Sequence, residues 1–294
     1  MINMRNRLGY NFFDIFVYAF CGLFAFMCFY PLWYVLLGSL MPPEISARVS
    51  ITLLLPQKMT LDYYSTILHG ELFLHSLMIS FLKTSMTAIG AVFLTSMMAF
   101  GVSKSNIKGM KTMNFIMVFL YFFSGGLIPS FLTYLKLGLI GSFWAMVIPN
   151  LIYVGNFILM RNYFAYSVSK ELEDAAVIDG ANEFIMFFKI IIPVSMPMLA
   201  AILLFEAVGN WNDWVSYLYF VNRPESMPFV VVLQQILTSP NTFLATSGLA
   251  VIRPVPPDGL IKATIIVAIM PIMCVYPFLQ KHFAKGIMIG AVKG

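Results

Sequence analysis

Charge is what this chain has least of. Asp, Glu, Lys and Arg make up 11% of its 294 residues, against about 25% in an ordinary soluble domain. So few ionic groups cannot cover a surface in water, which excludes a soluble enzyme, a disordered tail and a nucleic-acid-binding domain. Cysteine is nearly absent too. Cys21, Cys28 and Cys274 each sit in an apolar run; they lack the paired spacing of a disulfide framework or zinc site and are expected to be small buried apolar residues. The chain has no G-x-x-x-x-G-K-[ST] phosphate loop, no metal-spaced His or Cys cluster and no G-x-S-x-G elbow. It is therefore expected to bind no cofactor or metal of its own and not to hydrolyse ATP. His69, His75 and His282 have no partners at ligand spacing and read as interfacial residues.

What the chain has in abundance is hydrocarbon. It is 60% hydrophobic with a mean hydropathy of +0.85, the composition of a chain solvated by lipid. Crossing a hydrocarbon core of about 30 Å takes about 20 helical residues. Six stretches qualify: 15–43, 84–103, 112–135, 137–160, 190–220 and 263–280, the fifth only if Glu206 and Asp213 face protein or water. The first is too long for the apolar region of a cleaved signal peptide and no A-x-A site follows it. The expected fold is an all-α integral membrane protein with six transmembrane helices in one domain, 1–294. Bases between the spans set its orientation. With the N-terminus inside, eleven basic residues, among them Arg5, Arg7, Lys104, Lys108 and Lys293, fall on the cytoplasmic side, and six, Arg48, Lys58, Lys136, Arg223, Arg253 and Lys262, fall outside. Both termini are therefore expected in the cytoplasm. Lys83 falls inside the second span and is expected to snorkel towards the outer surface.

The acids gather. Glu171, Glu173, Asp174, Asp179 and Glu183 all lie in the cytoplasmic stretch 161–193. Ser169 is placed to cap a short helix whose first turn is acidic, and that helix should run to about Ile178. Gly180 then permits a sharp turn, and the apolar run from Phe184 to Pro193 leads back to the membrane. By composition alone this is either a solvated connecting helix or a docking surface.

Spacing adds a resemblance. Asp174-Ala175-Ala176, three residues, Gly180, nine residues and Ile190-Ile191-Ile192-Pro193 resemble the EAA loop of permease subunits of binding-protein-dependent ABC importers, with Asp174 for the glutamate and Ile192 for the leucine. FFSGGLIPSFLTYLKLGLIGSFWAMVIP, LMRNYF and QKHFAKGIMIGAVKG look like the carbohydrate-type, maltose-like branch of that family. The resemblance implies a type I ABC importer permease in a bacterial cell membrane, translocating a sugar or oligosaccharide. It also implies partners: a second permease subunit, two cytoplasmic ATPase subunits that carry the ATP and Mg, and an extracytoplasmic solute-binding protein. In such a protein the loop 161–193 is a coupling helix seated in an ATPase cleft. Ala175, Ala176 and Gly180 would then allow close approach, and Glu173, Asp174 and Asp179 would set register. A self-contained carrier driven by an ion gradient is the alternative. The chain is short for two inverted repeats and its charge cluster is a cytoplasmic loop, not a midplane ion site, which both count against that reading.

Two further regions are informative. Glu206, Asn210, Asp213 and Trp214 recur at helical spacing within the fifth span and are expected to share one face, with Glu206 in the outer half of the membrane. They read either as a translocation path, with an aromatic beside carboxylate and amide for sugar stacking, or as groups for interhelical hydrogen bonding or an outer gate, with Trp211 and Trp214 anchored at the interface. The external loop 221–262 carries six prolines and an apolar stretch at 227–237 that reads either as a short interfacial helix or as a piece packed against the bundle. It is either a proline-stiffened connector or, by the resemblance, the contact for the binding protein.

Overall fold

A computed structural model describes residues 12–42, 58–104, 107–246 and 256–291. Both chain termini lie outside the described residues, as do Arg5, Arg7, Arg48, Arg253 and Lys293 and the side chains of Lys281, His282 and Lys285. The described residues are helical, with no strand among them. This follows from the solvent, because lipid satisfies no backbone polar group and a helix pairs its own. In chain order the helices are α1 (Phe12–Ser39), α2 (Asp62–His69), α3 (Glu71–Ser103), α4 (Met110–Phe122), α5 (Leu127–Lys136), α6 (Trp144–Val147), α7 (Val154–Tyr166), α8 (Lys170–Ile178), α9 (Glu183–Val194), α10 (Met196–Trp211), α11 (Phe229–Thr238), α12 (Pro240–Thr246) and α13 (Pro257–Ala291).

Among the described residues, four segments are long and apolar enough to cross a membrane: Phe13–Ser39, Glu71–Ser103, Trp144–Tyr166 and Pro257–Pro277. The other two expected spans are bent. The stretch 112–135 divides into α4 and α5, which meet at 120°. Gly126 makes that break, with φ 81° and ψ −174°, a region open essentially to glycine alone. The fifth stretch bends by 80° between α9 and α10. Pro193 and Pro197 flank the bend and donate no backbone N–H, so the hydrogen-bond ladder cannot run through it. The stretch 137–160 begins its helix late, because Gly138 and Gly141 take φ of 68° and 79° in a turn that precedes Trp144. The apolar stretch 227–237 is helical from Phe229 onwards, in α11.

The residues group into two compact units. The larger comprises Glu71–Gln235 and Ala268–Gly294 and is organised on α3. Ser76, Ser80, Lys83, Thr87, Ala91, Thr95 and Ala99 are all buried on α3 and recur every three or four residues, so they form one face. Apart from Lys83 their side chains are small, which lets α7 and α10 pack close against α3. Towards the end of α3 this face runs into an apolar core of Phe100, Phe157, Met160 and Phe164 with Ala176 of α8, Met186 and Ile191 of α9, and Leu199 and Ile202 of α10. Cys21, Cys28 and Cys274 are exposed, which corrects the expectation that they are buried; on a membrane helix the outward surface meets lipid, and an apolar thiol suits it.

The smaller unit comprises Met1–Gly70 and Ile236–Val267. Lys262 is 7% exposed there, donates to Asp258 Oδ2 at 2.7 Å and lies 4.9 Å from the centroid of the Tyr34 ring. Gly38 makes room for its stem, since a Cβ at that position would meet Lys262 Cδ at 2.4 Å. Gly259 is more constrained still. A Cβ there would lie 2.0 Å from Tyr63 Cζ, on a ring that is fully buried and has nowhere to retreat. Gly259→Ala should therefore cost about 1–3 kcal/mol by overpacking, whereas Gly22→Ala, with nothing within 4 Å of its added carbon, should be neutral. Thermal unfolding of the two variants in detergent checks this, and equal midpoints would contradict the packing.

Candidate functional site

Two surfaces bring together the residues singled out by the sequence. The first is the hairpin of α8 and α9. Ser169 occupies the N-cap position with extended backbone, but its hydroxyl bonds the carboxylate of Glu171 and caps no backbone N–H. At the other end Gly180 takes φ 77°. The Ala181 N–H donates to Ala176 O and the Gly180 N–H to Val177 O, at 2.9 and 3.0 Å, the paired bonds of a Schellman closure. Asn182 then caps α9, its Oδ1 accepting from the Ile185 N–H at 2.9 Å. These local bonds fix the turn angle of the hairpin.

The hairpin shows two faces. Ala176 is 4% exposed and belongs to the apolar core, so its small side chain lets α8 approach its own chain. Asp174, Ala175, Asp179 and Gly180 are exposed, together with Val177 at 61%, Ile178 at 85% and Phe184 at 68%. This face is apolar with acids at its edges. Glu173 turns back instead: Lys104, just beyond α3, lies 4.0 Å from Glu173 Oε2 and 2.5 Å from Glu183 Oε2. The same ammonium sits 4.5 Å from the centroid of the Phe100 ring. Lys104 thus clasps both arms of the hairpin to α3, a role invisible when it is counted only as a cytoplasmic base.

The second surface is a cavity of about 460 Å³ lined by Asn150, Tyr153, Asn156, Phe205, Glu206, Gly209, Asn210, Asp213 and Ser216 with Pro149 and Ile152. Glu206, Asn156 and Asn210 are each 6% exposed. The Asn156 amide donates to Glu206 Oε1 at 2.7 Å. Asn210 donates to Glu206 Oε2 at 3.2 Å and to its backbone oxygen at 2.9 Å. Both carboxylate oxygens therefore accept an N–H. Asn156 was not among the expected site residues; its only sequence signal was an amide inside the apolar run that becomes α7. Glu206 stands about 15 Å along α10 at 1.5 Å per residue. The 80° bend makes Met196 the start of the straight helix that carries it.

The expected single face does not hold beyond Trp211, because α10 ends there. Asp213 still lines the cavity, whereas Trp214, 36% exposed, is not part of its wall. Asp213 also corrects the reading of Lys83. That lysine is 1% exposed and does not snorkel: its ammonium donates to Asp213 Oδ2 at 2.9 Å and to Asp213 O at 2.7 Å. The remaining oxygen, Oδ1, accepts from the Ser216 N–H at 3.1 Å. Trp211 is not an interfacial anchor either. It is 6% exposed, donates from Nε1 to Ala268 O at 2.9 Å and meets Phe81 edge-on at 5.6 Å between centroids. Among the described residues no group of His, Cys, Asp and Glu could hold a metal ion.

The family model described as "Binding-protein-dependent transport system inner membrane component" matches residues 91–289. The polygalacturonan/rhamnogalacturonan transport system permease protein YtcP of Bacillus subtilis (strain 168) is 37% identical over 292 residues, covering 99% of this chain and 100% of that one. The arabinooligosaccharides transport system permease protein AraQ of the same organism is 26% identical over 302 residues, with 99% and 100% covered. A chain in the crystal structure of a bacterial ABC transporter involved in the import of the acidic polysaccharide alginate matches with a TM-score of 0.85 at 30% identity, over 92% of this chain and 96% of that chain.

The Lys83–Asp213 pair yields a stability prediction. Asp213→Asn leaves a buried ammonium without its counter-charge and should cost about 3–5 kcal/mol. Adding Lys83→Met to that variant removes the stranded charge and should restore much of the loss. A double-mutant cycle on unfolding in detergent checks this, and strictly additive losses would show that the two groups are not coupled.

Proposed function

The chain belongs to the family of binding-protein-dependent transport system inner membrane components and is a membrane-spanning permease subunit of an ABC importer, and we propose that its cargo is a sugar or oligosaccharide handed over by an extracytoplasmic solute-binding protein. The relatives named above support the cargo class, since an acidic polysaccharide, polygalacturonan or rhamnogalacturonan, and arabinooligosaccharides all appear among their substrates. In this reading the whole of 1–294 acts as one permease domain in a bacterial cell membrane. Each bent pair counts as one crossing, which makes six, and both termini are cytoplasmic. A second, homologous permease subunit completes the path. Two cytoplasmic ATPase subunits bind ATP and Mg, so this chain does no catalysis itself. The outer loop 221–262 meets the binding protein. An ion-gradient-driven carrier is not favoured, because the family depends on a binding protein.

The observation that carries the reading is the continuity between hairpin and cavity. The exposed face of α8, with Asp174, Ala175, Ile178, Asp179 and Gly180, is a docking surface backed by Ala176 in the apolar core. That core continues through Met186 and Ile191 to Leu199 and Ile202 of α10. Glu206 is the next residue on that face, one turn beyond Ile202. A force applied at the hairpin thus reaches the polar wall through packed side chains, which transmit displacement because they are close-packed. Glu206, Asn210 and Asp213 form the part of the path or gate that would move, with Trp214 just beyond it.

Ile178→Asp and Asp174→Lys change only exposed side chains and should leave unfolding in detergent unaltered. Each should weaken retention of the ATPase subunits on purification about tenfold, the effect of roughly 1.4 kcal/mol at an interface. ATP-dependent sugar uptake should fall with it and should survive an uncoupler when ATP is held constant. Full ATPase retention in both variants would remove the coupling assignment, and uptake that collapses with the uncoupler would favour the ion-driven alternative.

Orientation has its own test. Cysteines introduced at Lys108 and Asp179 should be protected from an impermeant thiol reagent in sealed cells, and cysteines at Lys58 and Asn241 should react. Labelling at Asp179 from outside would reverse the topology.

A further inference from the structure

The stretch Trp144–Tyr166 is long and apolar enough to cross a membrane, yet its helix is broken well inside it. A tighter turn over Ile148–Leu151 is followed by Ile152 at φ −134°, ψ 104° and Tyr153 at φ −96°, ψ 119°. Both are extended, and α7 starts only at Val154. Lipid satisfies no backbone polar group, so a break within a span belongs where the chain is covered by protein or lines a water-filled space. Pro149, Asn150, Ile152 and Tyr153 all line the cavity that Glu206 also lines. The break is therefore part of the cavity's wall.

Tyr153 occupies the N-cap position of α7, where Ser, Thr, Asp or Asn would bond the first free N–H groups. Its side chain caps nothing. The ring instead lies over the first turn of the helix, where Gly155 makes room for it: a Cβ at Gly155 would meet Tyr153 Cε1 at 2.7 Å and Tyr121 Cε2 at 3.3 Å. Glycine weakens a helix, so both residues are poor choices for starting α7 and good ones for laying a flat ring beside the cavity. Tyr153 is 59% exposed, and its hydroxyl has no hydrogen-bond partner among the described residues. Asn156 gives one amide hydrogen to Glu206 Oε1; its other amide hydrogen and its side-chain carbonyl are without partners among the described residues. Trp214, the aromatic expected to stack on sugar, is not part of this wall.

An aromatic ring meets the C–H face of a sugar through its apolar surface, whatever charge the sugar carries elsewhere. Hydroxyls donate and accept at once, and the wall beside Tyr153 offers partners of both kinds. We propose that the Tyr153 ring, seated on Gly155 at the break in this span, is the platform on which a sugar ring of the passing cargo stacks, with Asn156 and Glu206 meeting its hydroxyls. The platform selects for a ring and not for a charge, so it holds neutral sugars and uronates alike. The inference rests on the sugar-import reading above and deepens it by assigning the stacking contact to one residue and its seat to another.

The test uses the complete importer in proteoliposomes with ATP inside, and neutral and uronate trisaccharides that load the binding protein. Sugar imported per ATP hydrolysed is measured, because cargo held less firmly slips back during a cycle. Tyr153→Phe keeps the flat ring and should import like the unaltered protein. Tyr153→Leu keeps apolar bulk without a flat face and should lower the yield about three- to tenfold, the scale of a ring contact, for neutral and uronate cargo alike. The side chain is exposed, so both variants should fold and assemble. Phe and Leu variants that behave alike, or a loss confined to one charge class, would overturn the proposal while leaving sugar import intact. Gly155→Ala pushes the ring off its seat and should lower the yield by itself, but add no loss to Tyr153→Leu. No loss from the single variant, or an added loss in the double, would overturn the role of Gly155. No ATP-dependent uptake of any of these sugars by the unaltered importer would overturn the sugar reading itself, and this one with it.

Discussion

An ammonium group cannot sit in the body of a membrane helix without a counter-charge, and Lys83 finds one 130 residues away in Asp213. The cost of leaving such a charge unpaired in a dry interior is several kcal/mol, so the pair acts as a constraint on everything near it. Asp213 follows the last residue of α10 closely, and its Oδ1 accepts from the Ser216 N–H. Lys83 therefore holds the end of α10 and the start of the next turn against α3 at once. The cavity exists because this end cannot drift: Asn210 and Asp213 line its wall, and Ser216 lies on the segment that the bond at Oδ1 positions.

The opposite end of α10 is held by different physics. Leu199 and Ile202 sit in the core that also contains Phe187 and Ile191 of α9 and Ala176 of α8, so the anchor is apolar packing and not charge. Lys104 adds ion pairs from α3 to Glu173 and Glu183 at the surface, where screening keeps their net worth small. α10 is thus fixed by a directional ionic bond at one end and by close packing at the other. Between these anchors, Glu206 is held by two amides. These hydrogen bonds are more easily exchanged with a polar ligand than a buried ion pair is, which makes the middle of the helix the place where cargo or water could compete.

Several of these features were legible in the sequence, and the exceptions have physical causes. The hairpin was readable because its signals are local. A capping position at Ser169, an acidic first turn and a glycine where φ must be positive all act within a dozen residues. The membrane crossings were located by their lack of charge, but charge scarcity reports lipid solvation and says nothing of backbone direction. The breaks at Gly126 and around Pro193 and Pro197 were therefore passed over, although glycine and proline were the available warnings. Lys83 was misread because snorkelling is judged from a residue's own helix, whereas its partner lies on a distant element. Asn156 was missed because one neutral amide in an apolar run carries little signal until the fold sets it against Glu206. The cysteines were misplaced since apolar and buried coincide in water but separate in lipid.

If the hairpin is the coupling element proposed above, the bend between α9 and α10 decides what kind of motion it can deliver. Two collinear helices would pass a push along their axis, and Glu206 would slide past Asn156 with little change in the cavity's width. At 80° the pair is an angled lever instead, with α9 as a short arm of about 18 Å and the stretch of α10 up to Glu206 an arm of about 15 Å at 1.5 Å per residue. If the shared core keeps the angle rigid, a displacement at the hairpin becomes a tilt of α10 of similar size at Glu206. A tilt of an ångström is enough to separate Asn156 Nδ2 from Glu206 Oε1, which are 2.7 Å apart, beyond useful hydrogen-bonding distance. The same movement would strain the Lys83–Asp213 pair, which resists it from the far end. In such a movement the ion pair would supply the restoring force on the wall, and the bend at the two prolines would set its direction.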